Sequence, residues 1–88
     1  MLPVTNYDFI TTFTPDTSTF DLIFNKTDTN YYYFKFSDNN VSLFNSLNKE
    51  PIISANIPAI QNQTINLELK NNNGEITLYI NNIPYVNN

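Results

Sequence analysis

At 88 residues, with 41% hydrophobic residues and a formal charge of -4, the chain is one domain's worth and too apolar to be disordered. It contains no Cys, His, Trp or Arg, which excludes disulfide scaffolds, Cys/His zinc sites and His-dependent nucleophilic catalysis. Four Lys against eight acids exclude a nucleic-acid grip, and no apolar run reaches the length of a membrane span.

Period-2 alternation dominates throughout, so an all-β chain of about 7–8 strands is expected, folded as one domain over residues 1–88. The opening Met1-Leu2-Pro3-Val4-Thr5-Asn6 has neither a basic region nor a long apolar run and does not read as a secretion signal. The first strand is Tyr7 to Thr14, with Phe9, Thr11 and Phe13 on one face. The second is Phe20 to Asn25, with Phe20, Leu22 and Phe24 together. The third, Tyr31 to Ser37, aligns Tyr32, Phe34 and Phe36, and the fourth, Val41 to Asn45, carries Val41 and Leu43. Ile52 to Ile57 is the fifth and Thr64 to Lys70 the sixth, the latter with Ile65, Leu67 and Leu69 on one face. Glu75 to Ile80 is the seventh, with Ile76, Leu78 and Ile80 together, and Ile83 to Val86 a short eighth. Pro84 keeps that last strand at an edge, because proline cannot donate to a ladder.

The turns fix which face is buried. Asn39-Asn40 reads as a two-residue turn that sets Phe36 opposite Leu43 and Ser37 opposite Ser42, since Asn tolerates positive φ best after Gly. Asn71-Asn72-Asn73-Gly74 reads as a four-residue loop setting Leu69 opposite Ile76, Leu67 opposite Leu78 and Lys70 opposite Glu75. Asn81-Asn82 pairs Ile80 with Ile83. Lys26 to Asn30 pairs Phe24 with Tyr32, and Thr14 to Thr19 sets Phe13 opposite Phe20. The longer, proline-bearing segments Ser46 to Pro51 and Pro58 to Gln63 are the expected crossings between sheets. Strands one to four then form an aromatic-lined meander and strands five to eight an aliphatic-lined sheet. Packed face to face, they make a small antiparallel two-sheet sandwich, jelly-roll or lectin-like.

From Phe20 to Val86 the chain resembles concanavalin A-like, laminin-G-like sandwiches. The residues that carry the resemblance are Phe20-Asp21-Leu22-Ile23-Phe24, Tyr31-Tyr32-Tyr33-Phe34-Lys35-Phe36 and Asn40-Val41-Ser42-Leu43-Phe44. They continue with Ile65-Asn66-Leu67-Glu68-Leu69 and Glu75 to Asn82. In that family a tyrosine-rich strand precedes a turn and a Val-x-Leu strand, and a later hairpin ends in Asn-Gly, here Asn81-Asn82. The resemblance implies a sandwich fold and makes a small carbohydrate-binding module the alternative function. Family glucanases set two Glu and an Asp at alternate positions of one strand. This chain has only Glu50, Glu68 and Glu75, dispersed in sequence, so no enzyme is expected.

Four aspartates, Asp16, Asp21, Asp28 and Asp38, sit in or beside loops, where they serve turns more simply than calcium; neither metal nor cofactor is expected. Three sequons, at Asn25, Asn40 and Asn62, are candidate N-glycosylation sites. Alternation points Tyr31, Tyr33 and Phe44 outward beside Lys35, with Ile10 and Ile23 on the same outer face, and Tyr79 outward from the other sheet. Tyr31, Tyr33, Phe44 and Tyr79 are therefore the candidate interface or sugar-stacking residues. The expected function is a non-enzymatic structural or interaction module, homo-oligomeric or bound to another protein subunit, with a glycan as the alternative partner. A low-charge surface rich in Asn, Thr and Tyr suits a virion or other extracellular assembly.

Overall fold

In the computed structural model, which describes residues 6–88, the alternating pattern becomes eight antiparallel strands. They are β1 (Tyr7–Phe13), β2 (Thr19–Phe24), β3 (Tyr32–Ser37), β4 (Asn40–Asn45), β5 (Ile53–Asn56), β6 (Ile65–Asn72), β7 (Glu75–Ile80) and β8 (Ile83–Asn87). Two four-stranded sheets, ordered β1-β6-β7-β8 and β2-β3-β4-β5, form the expected sandwich. The reading of Met1 to Thr5 as no secretion signal lies outside the described residues. Among the described residues no helix is long and apolar enough to cross a membrane.

The core is the sum of the two inward faces. Phe24, Phe34, Phe36, Val41 and Leu43 from one sheet are buried with Ile65, Leu67, Leu69, Ile76, Leu78, Ile80 and Val86 from the other. The aromatic side is internally stacked: Phe20 on Phe36 at 4.4 Å and Phe24 on Phe34 at 5.4 Å between ring centroids. Such pairs add specificity to area burial.

Strand β1 leaves the expected meander. It pairs with β6, with Phe9 opposite Leu69, Thr11 opposite Leu67 and Phe13 opposite Ile65. Both partner choices keep the same residues inward, so alternation alone does not separate them. The β6 pairing sets Asp8 opposite Lys70, a favourable cross-strand charge pair. Phe13 still meets Phe20, but edge-on across the core, with ring centroids 5.9 Å apart and planes at 81°. Of the two expected crossings, Pro58 to Gln63 does link the sheets, whereas Ser46 to Pro51 only turns β4 into its neighbour β5. The second crossing is the segment between β1 and β2. The crossings brace one another: the Asn62 N–H donates to the Pro15 carbonyl at 2.7 Å, Gln61 Nε2 to the Asp16 carbonyl at 3.2 Å, and Thr14 and Thr64 share a hydroxyl bond of 2.8 Å. Ile60, buried between β5 and β6, anchors this end.

Two turns differ from the sequence reading: the β6–β7 turn is two residues tighter, and the β3–β4 turn lies one residue earlier. The β6–β7 turn is Asn73-Gly74, with both residues at positive φ (55° and 89°), the signature of a type I′ turn. The ladder therefore runs on through Asn71 opposite Ile76, and Leu69 faces Leu78 and Leu67 faces Ile80. The expected Lys70–Glu75 pair does not form: Lys70 lies opposite Thr77 and Glu75 opposite Asn72. The tighter turn gains a cap, since the Gly74 N–H donates to Asn71 Oδ1 at 2.9 Å, and this places the Asn71 side chain in the core at 1% exposure. The β3–β4 turn is Asp38-Asn39, so Phe36 faces Val41 and Phe34 faces Leu43. It is held from both flanks: the Asp38 N–H donates to the Ser18 carbonyl at 3.1 Å, and the Asn39 carbonyl accepts from the Ile57 N–H at 2.9 Å. Each shift is by two positions in register, which leaves every residue on its expected face. The β2–β3 register and the Asn81-Asn82 turn are as read from sequence.

With one glycine in the chain, asparagine supplies the left-handed backbone. Among the described residues six non-glycine positions have positive φ, and five are Asn: Asn25, Asn62, Asn73, Asn81 and Asn82. Asn bears this conformation more cheaply than other side chains. Asn82, at φ 68° in an exposed turn, isolates the effect. Asn82→Ala is expected to lose about 1 kcal/mol of stability, and Asn82→Gly to lose nothing or gain. Urea midpoints at constant m-value check both.

Candidate functional site

The outer face of the β2-β3-β4-β5 sheet carries an apolar row. Register puts Ile23 opposite Tyr33, and Tyr33 opposite Phe44. The Tyr33 and Phe44 rings are stacked, with centroids 5.1 Å apart and planes 7° from parallel. Tyr31 adds a third ring, 5.8 Å from Tyr33. Ile23 is 54% exposed, and Leu47 and Ile52, in the turn between β4 and β5, are exposed as well.

Polar neighbours frame the row. One residue-pair along the strands, Asp21 faces Lys35, Lys35 faces Ser42, and the Ser42 and Ser54 hydroxyls bond at 2.8 Å. On the other flank the Tyr31 backbone is fixed by Ser46. The Tyr31 N–H donates to Ser46 Oγ at 3.0 Å, the Ser46 N–H to the Tyr31 carbonyl at 2.8 Å, and Ser46 Oγ–H to Asn30 Oδ1 at 2.8 Å. Three rings and an isoleucine are thus held on a hydrogen-bonded sheet with a polar rim.

The structure brings Tyr31, Tyr33, Phe44 and Ile23 together, but not Tyr79 or Ile10. Because β1 belongs to the other sheet, Ile10 lies on the opposite outer surface, in the row Ile10–Glu68–Tyr79–Pro84. The sequence expectation that sets Ile10 beside the tyrosines presumes a β1–β2 hairpin, and the β1–β6 pairing overturns it.

The sandwich is also asymmetric from side to side, which the sequence reading missed. Cα atoms of β5 and β8 approach within 8 Å, while β1 and β2 stay farther apart. Between β1 and β2 lies a cleft of about 210 Å³ lined by Tyr7, Phe9, Leu22, Ile23, Phe24 and Leu69. At its rim the Tyr7 hydroxyl donates to Asn25 Oδ1 at 2.9 Å, linking the two sheets. Burial pushes the Tyr7 pKa up, partly offset by its hydrogen bonds to Asn25 and Asn71. The available signal was Phe9, an apolar residue with no hairpin partner once β1 is freed from β2.

Among the described residues no group of three or more His, Cys, Asp or Glu could hold a metal ion. Asp21 faces Lys35 in the ladder and Asp38 sits at the β3–β4 turn. Of the sequon residues, Asn62 is exposed in the crossing segment. Asn40 is half-buried, its carboxamide oxygen accepting from Ser42 Oγ at 3.1 Å. Asn25 is half-buried, and its side-chain nitrogen has no hydrogen-bond partner in the fold.

Comparison with protein-family models, with curated proteins and with solved structures returned no match to the chain.

One carboxylate pair stands out. Glu68 and Asp8 lie side by side on the outer face of the β1-β6-β7-β8 sheet. A hydrogen bond with Asp8 raises the Glu68 pKa, burial and the Asp8 charge add to this, and Lys70 opposes it. A carboxyl whose pKa is raised by folding binds its proton more tightly in the fold than in the unfolded chain. Its contribution is complete below the unfolded value and is lost as pH rises through the folded one. Glu68→Gln is therefore expected to melt at or above the parent temperature at neutral pH, where it removes the repulsion with Asp8. Below about pH 4, where the parent carboxyl is already protonated, the difference should vanish. Melting curves across that range check the sign.

Proposed function

We propose that the protein is a non-enzymatic contact module whose outer aromatic face is covered by another protein subunit, most simply a further copy of the chain. The observation that carries this reading is the Ile23–Tyr33–Phe44 row with Tyr31 beside it, a contiguous strip of apolar and aromatic side chains on one outer sheet face. A strip of this kind, apolar at its centre and polar at its rim, is how protein interfaces are built. Asp21 and Lys35 beside it offer opposite charges to an inverted copy of the same face. A repeated surface unit of a virion or cell envelope is a setting that suits such a module.

A carbohydrate ligand is the competing reading. Sugar rings stack on free aromatic faces, whereas Tyr33 and Phe44 each use one face on the other. That favours a protein occupant.

Association through this face should grow with concentration and with salt, because screening weakens the mutual repulsion of chains carrying -4 each. Tyr33→Ser combined with Phe44→Ser is expected to abolish higher-order association in sedimentation velocity, with a stability loss of only about 1–2 kcal/mol. The parent chain should give no signal on a glycan array. A glycan signal that disappears in the double variant would replace the protein reading with a lectin-like one.

A further inference from the structure

A four-stranded sheet has two open edges, and an open edge is a template for another strand unless something blocks it. Among the described residues the sandwich has four such edges: β1, β8, β2 and β5. Three are guarded. β5 has four residues and is flanked by Pro51 and Pro58. β8 carries Pro84 and joins β7 through a register irregularity between Leu78 and Tyr79. β2 carries Asp21 near its centre, so the self-pairing register centred there would set two carboxylates face to face.

β1 has none of these devices. It runs seven residues, Tyr-Asp-Phe-Ile-Thr-Thr-Phe, without Pro, Lys or a bulge. Phe9 and Ile10, adjacent and on opposite faces, are 48% and 59% exposed. Phe9 also forms one wall of the open cleft between β1 and β2.

We infer that β1 pairs antiparallel with β1 of a second copy, about a two-fold axis at Ile10, to make one continuous eight-stranded sheet. The sequence of the strand is self-complementary in that register. Residues paired across an antiparallel two-fold must lie on the same face, so the two numbers of each pair sum to an even value. Only the axis at Ile10 pairs all seven residues: Ile10 with its symmetry mate, Phe9 with Thr11, Asp8 with Thr12 and Tyr7 with Phe13. The one charge on the strand then faces a threonine, and the two copies of Asp8 sit about 13 Å apart along the strands. Two Tyr–Phe pairs form, of the kind that stabilises cross-strand contacts. The exposed sides of Ile10 and Phe9 are covered, and the two clefts meet beneath the joined strands. This contact uses an edge of one sheet, not the aromatic face of the other, and so stands whether or not that face is occupied.

The chain has no cysteine, which makes a direct test clean. Across an antiparallel pair, side chains directly opposite are within disulfide reach. Ile10→Cys should form a disulfide-linked dimer under mild oxidation. Ile83→Cys, on the exposed β8 edge, should not become disulfide-linked. Native mass at tens of micromolar should be twice the 10.2 kDa of the chain in the Tyr33→Ser/Phe44→Ser variant, and at least that in the parent. Ile10→Lys should weaken that dimer at least about tenfold, by opposing two charges across the axis, while its melting curve stays cooperative. A lysine there lies opposite Glu68 of its own chain, so the fold tolerates it. The dimer should survive Tyr33→Ser with Phe44→Ser, which separates this contact from the one proposed for the aromatic face. A monomeric parent, a dimer unaffected by Ile10→Lys, or equal cross-linking through Ile83→Cys would each overturn the inference.

Discussion

Everything in this small domain depends on the burial of one sheet's phenylalanines against the other sheet's leucines and isoleucines. Neither sheet has an independent core. Phe34, Phe36, Val41 and Leu43 are dry only because Leu67, Leu69, Ile76 and Leu78 lie over them. With a side-chain period of two, committing these residues inward commits their neighbours outward. Tyr33 and Phe44 are on the surface for the same reason that Phe34 and Leu43 are not. The contact face is thus the obligatory reverse of the core, and its rigidity is inherited from it.

The thinness of such a core makes the polar margins matter. A chain with one glycine and no disulfide closes its turns with asparagine, which serves in two ways. At Asn73, Asn81 and Asn82 it tolerates the left-handed backbone of tight turns. At Asn45, Asn71 and Asn81 its carboxamide oxygen accepts a backbone N–H that the turn leaves open, from Leu47, Gly74 and Asn66 respectively, each at 2.9 Å. The abundance of asparagine therefore has a structural use at the ends of the strands, beyond solubility.

Much of this was legible in the residues, and the failures have a common physical cause. Alternation identified the strands and the inward set, and the Asn81-Asn82 and Lys26 to Asn30 connections gave the right register. What alternation cannot report is partner choice. β1 keeps Phe9, Thr11 and Phe13 inward whether it pairs with β2 or with β6, and a shift of two residues at a turn leaves every face unchanged. The tyrosine face survived these ambiguities because Ile23, Tyr33 and Phe44 lie on three consecutive strands whose order was read correctly. Ile10 did not, because its place rested on the one hairpin that does not exist. The open β1 edge was invisible for the same reason: an edge is a property of strand order, and no single strand encodes it.

The aromatic face and the unguarded β1 edge lie on different sheets, and both presuppose that the sheets form one cooperative unit. Native-state amide hydrogen exchange tests that premise most directly. The amides of Phe34 and Leu43 in one sheet and of Leu67 and Leu78 in the other should share a single opening free energy, equal to that of global unfolding. Two distinct opening energies, one for each sheet, would contradict the account.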